Sequence, residues 1–251
     1  MLKASREGRV LRLVLDRPEK RNALNGALCR ELVSAIEQGM QDAGVGAILL
    51  SGAGPSFCSG MDLGEMLTTE ASTLADTHER LFTIGRRATV PLVAAIHGAA
   101  LAGGTGLATN AHIVVASEDA TFGLTEIRIG LWPFVIYRAV VDAVGERRAL
   151  ELAITGRILP AHEAEHIGLA HHVTPAAELM ARAAEIAEAV AASSPTAIRT
   201  GLRFVAESRG LDWEQAGQAA RRYREEQFRT ADFAEGIRAF REKRPPRWSS
   251  D

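Results

Sequence analysis

Residues 91–111 read PLVAAIHGAALAGGTGLATNA. Leu92 to Ile96 is a short unbroken apolar run closed by Gly98, the pattern of a strand buried on both faces. The glycines at 103, 104 and 106 then open an alanine-rich helix. A strand therefore feeds a helix through a glycine turn. Such a turn lets a ligand reach the backbone, and the unpaired amides of a helix start favour an anion or an oxygen that becomes one. The same glycines also suit a purely structural role in which two backbones pack tightly. This stretch leaves both readings open.

Working outward, Arg9 to Asp16 alternates with Val10, Leu11, Leu13 and Leu15 apolar, which predicts a strand. The polar turn DRPEKRNALN follows, with Asn25 as the cap of a helix striped by Leu28, Leu32, Ile36 and Met40. Val45 to Leu50 predicts a second buried strand, leaving through the glycine-rich SGAGPSFCSGMDLGEM (51–66) into a short helix. The strand-to-glycine-loop device thus occurs twice. A helical segment over 74–88 leads to the central strand, and Ile113 to Ala116 predicts a third buried strand. Strands separated by helices at this spacing predict parallel pairing, with both glycine loops on the carboxyl edge where ligands sit. From about Pro133 the pattern is mostly helical, with a short candidate strand at 170–174 and helices at about 179–190, 197–207, 211–228 and 232–242. We read residues 1–190 as an α/β core with the site and 191–251 as a helical C-terminal region.

The chain has 251 residues, is 47% hydrophobic and carries a net charge of −2 with both signs interspersed. That is enough apolar material for a full core, and no basic tract long enough to neutralise a nucleic-acid backbone. Cys29 and Cys58 form no CxxC pair and no cluster with histidine, so neither a disulfide framework nor a metal is expected. His171 and His172 are adjacent and would face opposite ways in a strand, making them poor co-ligands. The N-terminus lacks a signal-peptide core, and no run of about 20 apolar residues occurs. A cytoplasmic protein with no membrane partner is expected. GAALAGGTG lacks GxGxxG spacing and no GK[ST] follows either glycine loop, which argues against a dinucleotide or P-loop site.

RPEKRNALN, SGAGPSFCSGMDLGEM, AAIHGAALAGGTGLA and TFGLTEIRIGLWP, in this order, resemble the crotonase superfamily, the enoyl-CoA hydratase/isomerase family. FAEGIRAFREKRPPRW (233–248) resembles its C-terminal signature. The resemblance implies an α/β spiral of repeated ββα units with a helical C-terminal trimerisation region, assembled as a homotrimer or a dimer of trimers. It implies an acyl-CoA thioester as substrate, with coenzyme A part of that substrate and no separate cofactor. The thioester oxygen would sit between the backbone amides of Met61 and Gly103, where each well-placed donor is worth about 3–4 kcal/mol in the transition state.

Family hydratases carry two glutamates, and the resemblance maps the first onto Gly106 and the second onto Glu126. One carboxylate is absent. Glu126 lies between Leu124, Ile127 and Ile129, so partial burial would raise its pKa toward neutrality, as an acid/base group needs; a helix-start role beside Thr125 is the structural alternative. By resemblance, coenzyme A contacts fall on Arg21, Ala23 and Leu24, on Ser59, Asp62 and Leu63, near Gly104, and on Phe240 and Lys243 in the tail. Gly106 would line the acyl pocket, as would Trp132, Phe134, Ile136 and Tyr137 if their loop faces inward; the same four residues suit the core between subunits equally well. Asp62 is expected to cap the following helix, His97 to be structural, and Glu65 to face either the pocket or solvent. Isomerisation, single-glutamate hydration, another reaction of the superfamily such as thioester hydrolysis or dehalogenation, and non-catalytic acyl-CoA binding all remain open at this point.

Overall fold

Gly8 and Arg9 separate β1 (Leu2–Glu7) from β2 (Val10–Leu15), which close as an antiparallel hairpin with Leu2 opposite Leu15. The structure is a computed structural model and describes residues 1–66 and 72–249. After α1 (Gly26–Gln41), β3 (Ala47–Gly52) joins β2 in parallel. Three helices, α2 (Leu63–Met66), α3 (Ser72–Phe82) and α4 (Ile84–Arg87), then lead to β4 (Leu92–Ile96), parallel to β3. Next come β5 (Ala99–Leu101), α5 (Gly103–Asn110), β6 (Ile113–Ser117), β7 (Thr121–Gly123), α6 (Phe134–Val144) and α7 (Glu146–Thr155). The chain continues through β8 (Ile158–Pro160), α8 (Ala161–His166), β9 (His172–Thr174) and α9 (Leu179–Ala191). It ends in α10 (Pro195–Ser208), α11 (Trp213–Phe228) and α12 (Ala231–Glu242).

The long sheet has the order β1-β2-β3-β4-β6-β9 and is parallel apart from the hairpin. The short strands form a second sheet, β5-β7-β8, which parallel bridges between Cys58 and Ala100 and between Leu24 and Met61 extend. Each circuit of the chain thus lays one long strand in the first sheet and one short piece in the second: β3 then Cys58, β4 then β5, β6 then β7. This is the expected spiral of ββα units.

Burial on both faces explains the unbroken apolar runs. Ile48, Leu50, Ala94, Ile96, Val114 and Ala116 pack with α1 and with Phe57 and Phe122. Their alternating neighbours Ala47, Leu49, Val93, Ala95 and Val115 pack against Leu179, Ala183, Ala187 and Ala191 of α9. Small residues let α9 lie close, and a Cβ on Gly46 would come within 2.9 Å of Ala191 Cα. The expected cap of α1 forms, with Leu28 N donating to Asn25 Oδ1 at 2.9 Å.

Four strands, β1, β5, β7 and β8, have no counterpart in the sequence reading; the last three span only three residues each, too few to show a period. The predicted helix over 74–88 divides at Thr83 into α3 and α4. In the C-terminal region Asp212 and Gln215 form a capping box for α11. The tail folds back: Trp248 Nε1 donates to Ala192 O at 2.7 Å, and buried Asp232 accepts from Ser194 Oγ at 2.6 Å and Ser249 N at 3.0 Å. Among the described residues no helix is long and apolar enough to cross a membrane.

Candidate active site

The two glycine loops meet. Gly60 adopts φ 98°, and a Cβ there would lie 2.9 Å from Ala102 Cβ and 3.4 Å from Gly103 N; a Cβ on Gly104 would lie 2.2 Å from Cys58 O. Only glycine permits this approach of backbone to backbone. Ala102, the residue before α5, is held at φ 50° and ψ −120°, a conformation that costs an L-residue about 1–3 kcal/mol and persists only where its surroundings enforce it. Leu24 N donates to Gly60 O at 2.8 Å and Asp62 N donates to Leu24 O at 3.0 Å. That register skips Met61. Among the described residues the amides of Met61 and of Gly103, in the first turn of α5, have no acceptor.

Glu126 enters from the short 3₁₀ turn Thr125–Ile129 that follows β7. It lines a cavity of about 270 Å³ together with Ser59, Met61, Leu63, Gly103, Trp132 and Phe134. Its Oε2 is sheltered from solvent and, among the described residues, has no hydrogen-bond partner. Burial pushes its pKa up to about 7, opposed by a bond from its own backbone amide. A carboxyl that is half ionised at neutral pH can both take and return a proton.

Gly106, expected at this pocket, lies behind Ile136, which lines the cavity in its place. A Cβ on Gly106 would fall 2.3 Å from Ile136 Cγ2 and 3.1 Å from Phe82 Cδ1. The space a first glutamate would enter is filled by hydrocarbon. Leu24 is fully buried, its N–H donating to Gly60 O and its carbonyl accepting from Asp62 N, so it positions the Met61 loop. Asp62 accepts from Gly64 N at 3.2 Å, the expected cap, and also pairs with Arg17 at 3.1 Å. Arg21 and Ala23 flank this loop: Ser59 N donates to Arg21 O, and Arg17 Nη1 donates to Ala23 O. His97 is tied to Gly54 O at 2.9 Å, as a structural residue would be. Glu65 is not among the residues lining the cavity, and its Oε2 accepts from Gly26 N at 2.6 Å at the start of α1. Phe240 is 85% exposed and Lys243 caps α12 in the left-handed conformation, both outside the cavity lining.

Arg17 and Asn22 were not singled out in the sequence. Asn22, buried with φ 55°, donates to Ala53 O and Ser56 O and accepts from Arg17 N, all at 2.8 Å, so it ties the first loop to the second. An asparagine inside a polar turn was the available signal, because asparagine tolerates positive φ. Burial pushes the thiols of Cys29 and Cys58 up to about 12, so neither is a thiolate nucleophile at neutral pH. A larger cleft of about 390 Å³ lies at the other end of α5, away from Glu126 and both amides. Several of its polar groups are engaged: His112 and His171 accept from Leu92 N and Val114 N, and Asp142 pairs with Arg138 and Arg209.

A sequence model of the family described as enoyl-CoA hydratase/isomerase matches residues 5–251. A 2,3-dehydroadipyl-CoA hydratase from Escherichia coli is 36% identical over 245 residues, covering 96% of each chain. The enoyl-CoA hydratase EchA19 of Mycobacterium tuberculosis is 33% identical over 252 residues, covering 98% of this chain and 95% of that protein. Among solved structures, an enoyl-CoA hydratase from Bacillus anthracis superposes with a TM-score of 0.93 at 31% identity, covering 100% of this chain and 99% of that one.

Proposed function

The chain belongs to the enoyl-CoA hydratase/isomerase family of acyl-CoA enzymes, and from that premise we propose that it hydrates a 2-enoyl-CoA with Glu126 as its single acid/base. The observation that carries this reading is one partly buried carboxyl, its pKa near 7, sharing a cavity with two amides that have no acceptor. Ionised Glu126 takes a proton from water as the water oxygen bonds to carbon 3. The alkene electron pair moves into the conjugated thioester, and the N–H groups of Met61 and Gly103 hold the resulting enolate oxygen. Glu126 then returns its proton to carbon 2 and the carbonyl re-forms. Preorganised backbone donors lower the barrier because they meet the charge without reorganising.

Isomerisation of a 3-enoyl-CoA is the second reading, favoured by Ile136 filling the place of a second carboxylate. Glu126 would remove a proton from carbon 2 and deliver it to carbon 4 through the same enolate. The hydratase names of the relatives support taking hydration as the first reading. Coenzyme A arrives as part of the substrate, beside the loops of Arg21, Ala23, Ser59, Asp62 and Leu63. Phe240 and Lys243 would reach it from a neighbouring copy in a homotrimer or dimer of trimers, an assembly that would also cover Phe134 and Trp213, 74% and 95% exposed. No metal, nucleic acid or membrane takes part, and the cytoplasm is the compartment proposed.

Mass spectrometry of products from crotonyl-CoA and 3-hexenoyl-CoA in ¹⁸O-labelled water tests the assignment. The expected product from crotonyl-CoA is a 3-hydroxyacyl-CoA carrying one labelled oxygen. Release of free coenzyme A, or conversion of neither substrate, overturns it.

A further inference from the structure

Helix α3 presents His78 to the same cavity as Glu126. Its Nε2 is sheltered from solvent and, among the described residues, has no hydrogen-bond partner. The wall beside it is apolar: the Phe82 ring, one helical turn on, has its centroid 6.4 Å from that of the imidazole, and Leu131, Trp132 and Ile136 also line the space. Burial holds the imidazole below its ordinary pKa, with the carboxylate of Glu65 acting in the opposite direction. A buried polar atom without a partner costs about 1–3 kcal/mol, so an imidazole on the wall of a ligand cavity gains when its ring turns this nitrogen toward a partner on the ligand.

Among the described residues lining the cavity there is no lysine or arginine. An acidic chain end would find no countercharge there, whereas a neutral oxygen would meet the imidazole. Resting on the acyl-CoA reading above, we infer that His78 is a specificity-determining residue that hydrogen-bonds a neutral oxygen, a hydroxyl or a keto group, carried on the acyl chain beyond the reacting carbons. A plain hydrocarbon chain leaves Nε2 unpaired in the complex, and an oxygenated one satisfies it. Sites built to bond a substrate oxygen reject the analogue lacking it more steeply than an apolar pocket rejects a change of one methylene.

Calorimetric titration of the full chain with saturated thioesters separates this contact from turnover. The ligands are hexanoyl-CoA and its 4-, 5- and 6-hydroxy derivatives, since a hydroxyl can pair with either tautomer of the ring. At least one hydroxy isomer should bind about tenfold more tightly than hexanoyl-CoA, the scale of one net hydrogen bond. His78→Phe should bind the two alike, and His78→Gln, which keeps an N–H donor, should retain part of the preference. If His78→Phe does not fold, the wild-type preference and the Gln variant decide the matter. No preference in the wild type, or an unchanged preference in His78→Phe, overturns the inference and leaves the enoyl-CoA reading standing. Failure of all four thioesters to bind overturns both.

Discussion

Gly106→Ala probes a cavity wall that closes over the place of a side chain this sequence does not have. The added Cβ would sit 2.3 Å from Ile136 Cγ2 and 2.9 Å from Ile136 Cβ, so Ile136, packed between α5 and the cavity that it lines, would have to shift. Overpacking of this kind costs about 1–3 kcal/mol, against which alanine returns about 1 kcal/mol of helix propensity over glycine. A net loss of up to about 2 kcal/mol lowers the melting temperature of a chain this size by up to roughly 8 °C. Ile136→Ala alone leaves a void and costs about 2–5 kcal/mol. In the double variant the new methyl enters that void, so it should be at least about 1 kcal/mol more stable than the sum of the single changes. Thermal and urea denaturation of the four chains measures this directly. A Gly106→Ala chain as stable as wild type, with effects that simply add, would refute the reasoning.

Burial of Glu126 also sets a pH dependence of stability. With a folded pKa near 7 against 4.5 for an ordinary glutamate, the folded chain holds the proton more tightly than the unfolded chain. The contribution is therefore full below about pH 4.5 and lost as pH rises through 7. The difference corresponds to about 3 kcal/mol, brought to about 1–2 kcal/mol by the solvent that reaches a half-buried group. Glu126→Gln should match wild type at pH 4.5 and exceed it by that amount at pH 8; a gap constant across both pH values in denaturation curves contradicts this. Asp232→Ala removes a buried acceptor from Ser194 Oγ, Thr196 N and both Ser249 N and Oγ. A loss of about 2–4 kcal/mol in urea denaturation is expected, and a loss under about 0.5 kcal/mol would show that the tail is held elsewhere.

The parallel sheet was legible because β3, β4 and β6 are buried on both faces and bounded by glycine or polar turns. The hairpin strand β1 was not, since all but one of its residues are exposed and LKASRE has no clean alternation. The second sheet escaped because its strands are fixed by contacts between successive circuits of the chain, a long-range property that a local period does not carry. At the site, the glycines and Glu126 could be read from motif order, and so could the missing carboxylate at Gly106. What fills that gap could not: Ile136 lies 30 positions away and meets Gly106 only through the packing of α5 on α6. His78 and Asn22 were hidden for the same reason. Each takes its significance from a partner, or the want of one, set by the fold.

Turnover and affinity measured together in Glu126→Gln bear most directly on the central claim, that one partly buried carboxyl moves the proton while backbone amides hold the thioester oxygen. With crotonyl-CoA as substrate, the variant should lose at least about a hundredfold in kcat. Its calorimetric affinity for butyryl-CoA should stay within about threefold of wild type, because a neutral glutamine leaves both amides in place. Full activity in Glu126→Gln would contradict the account.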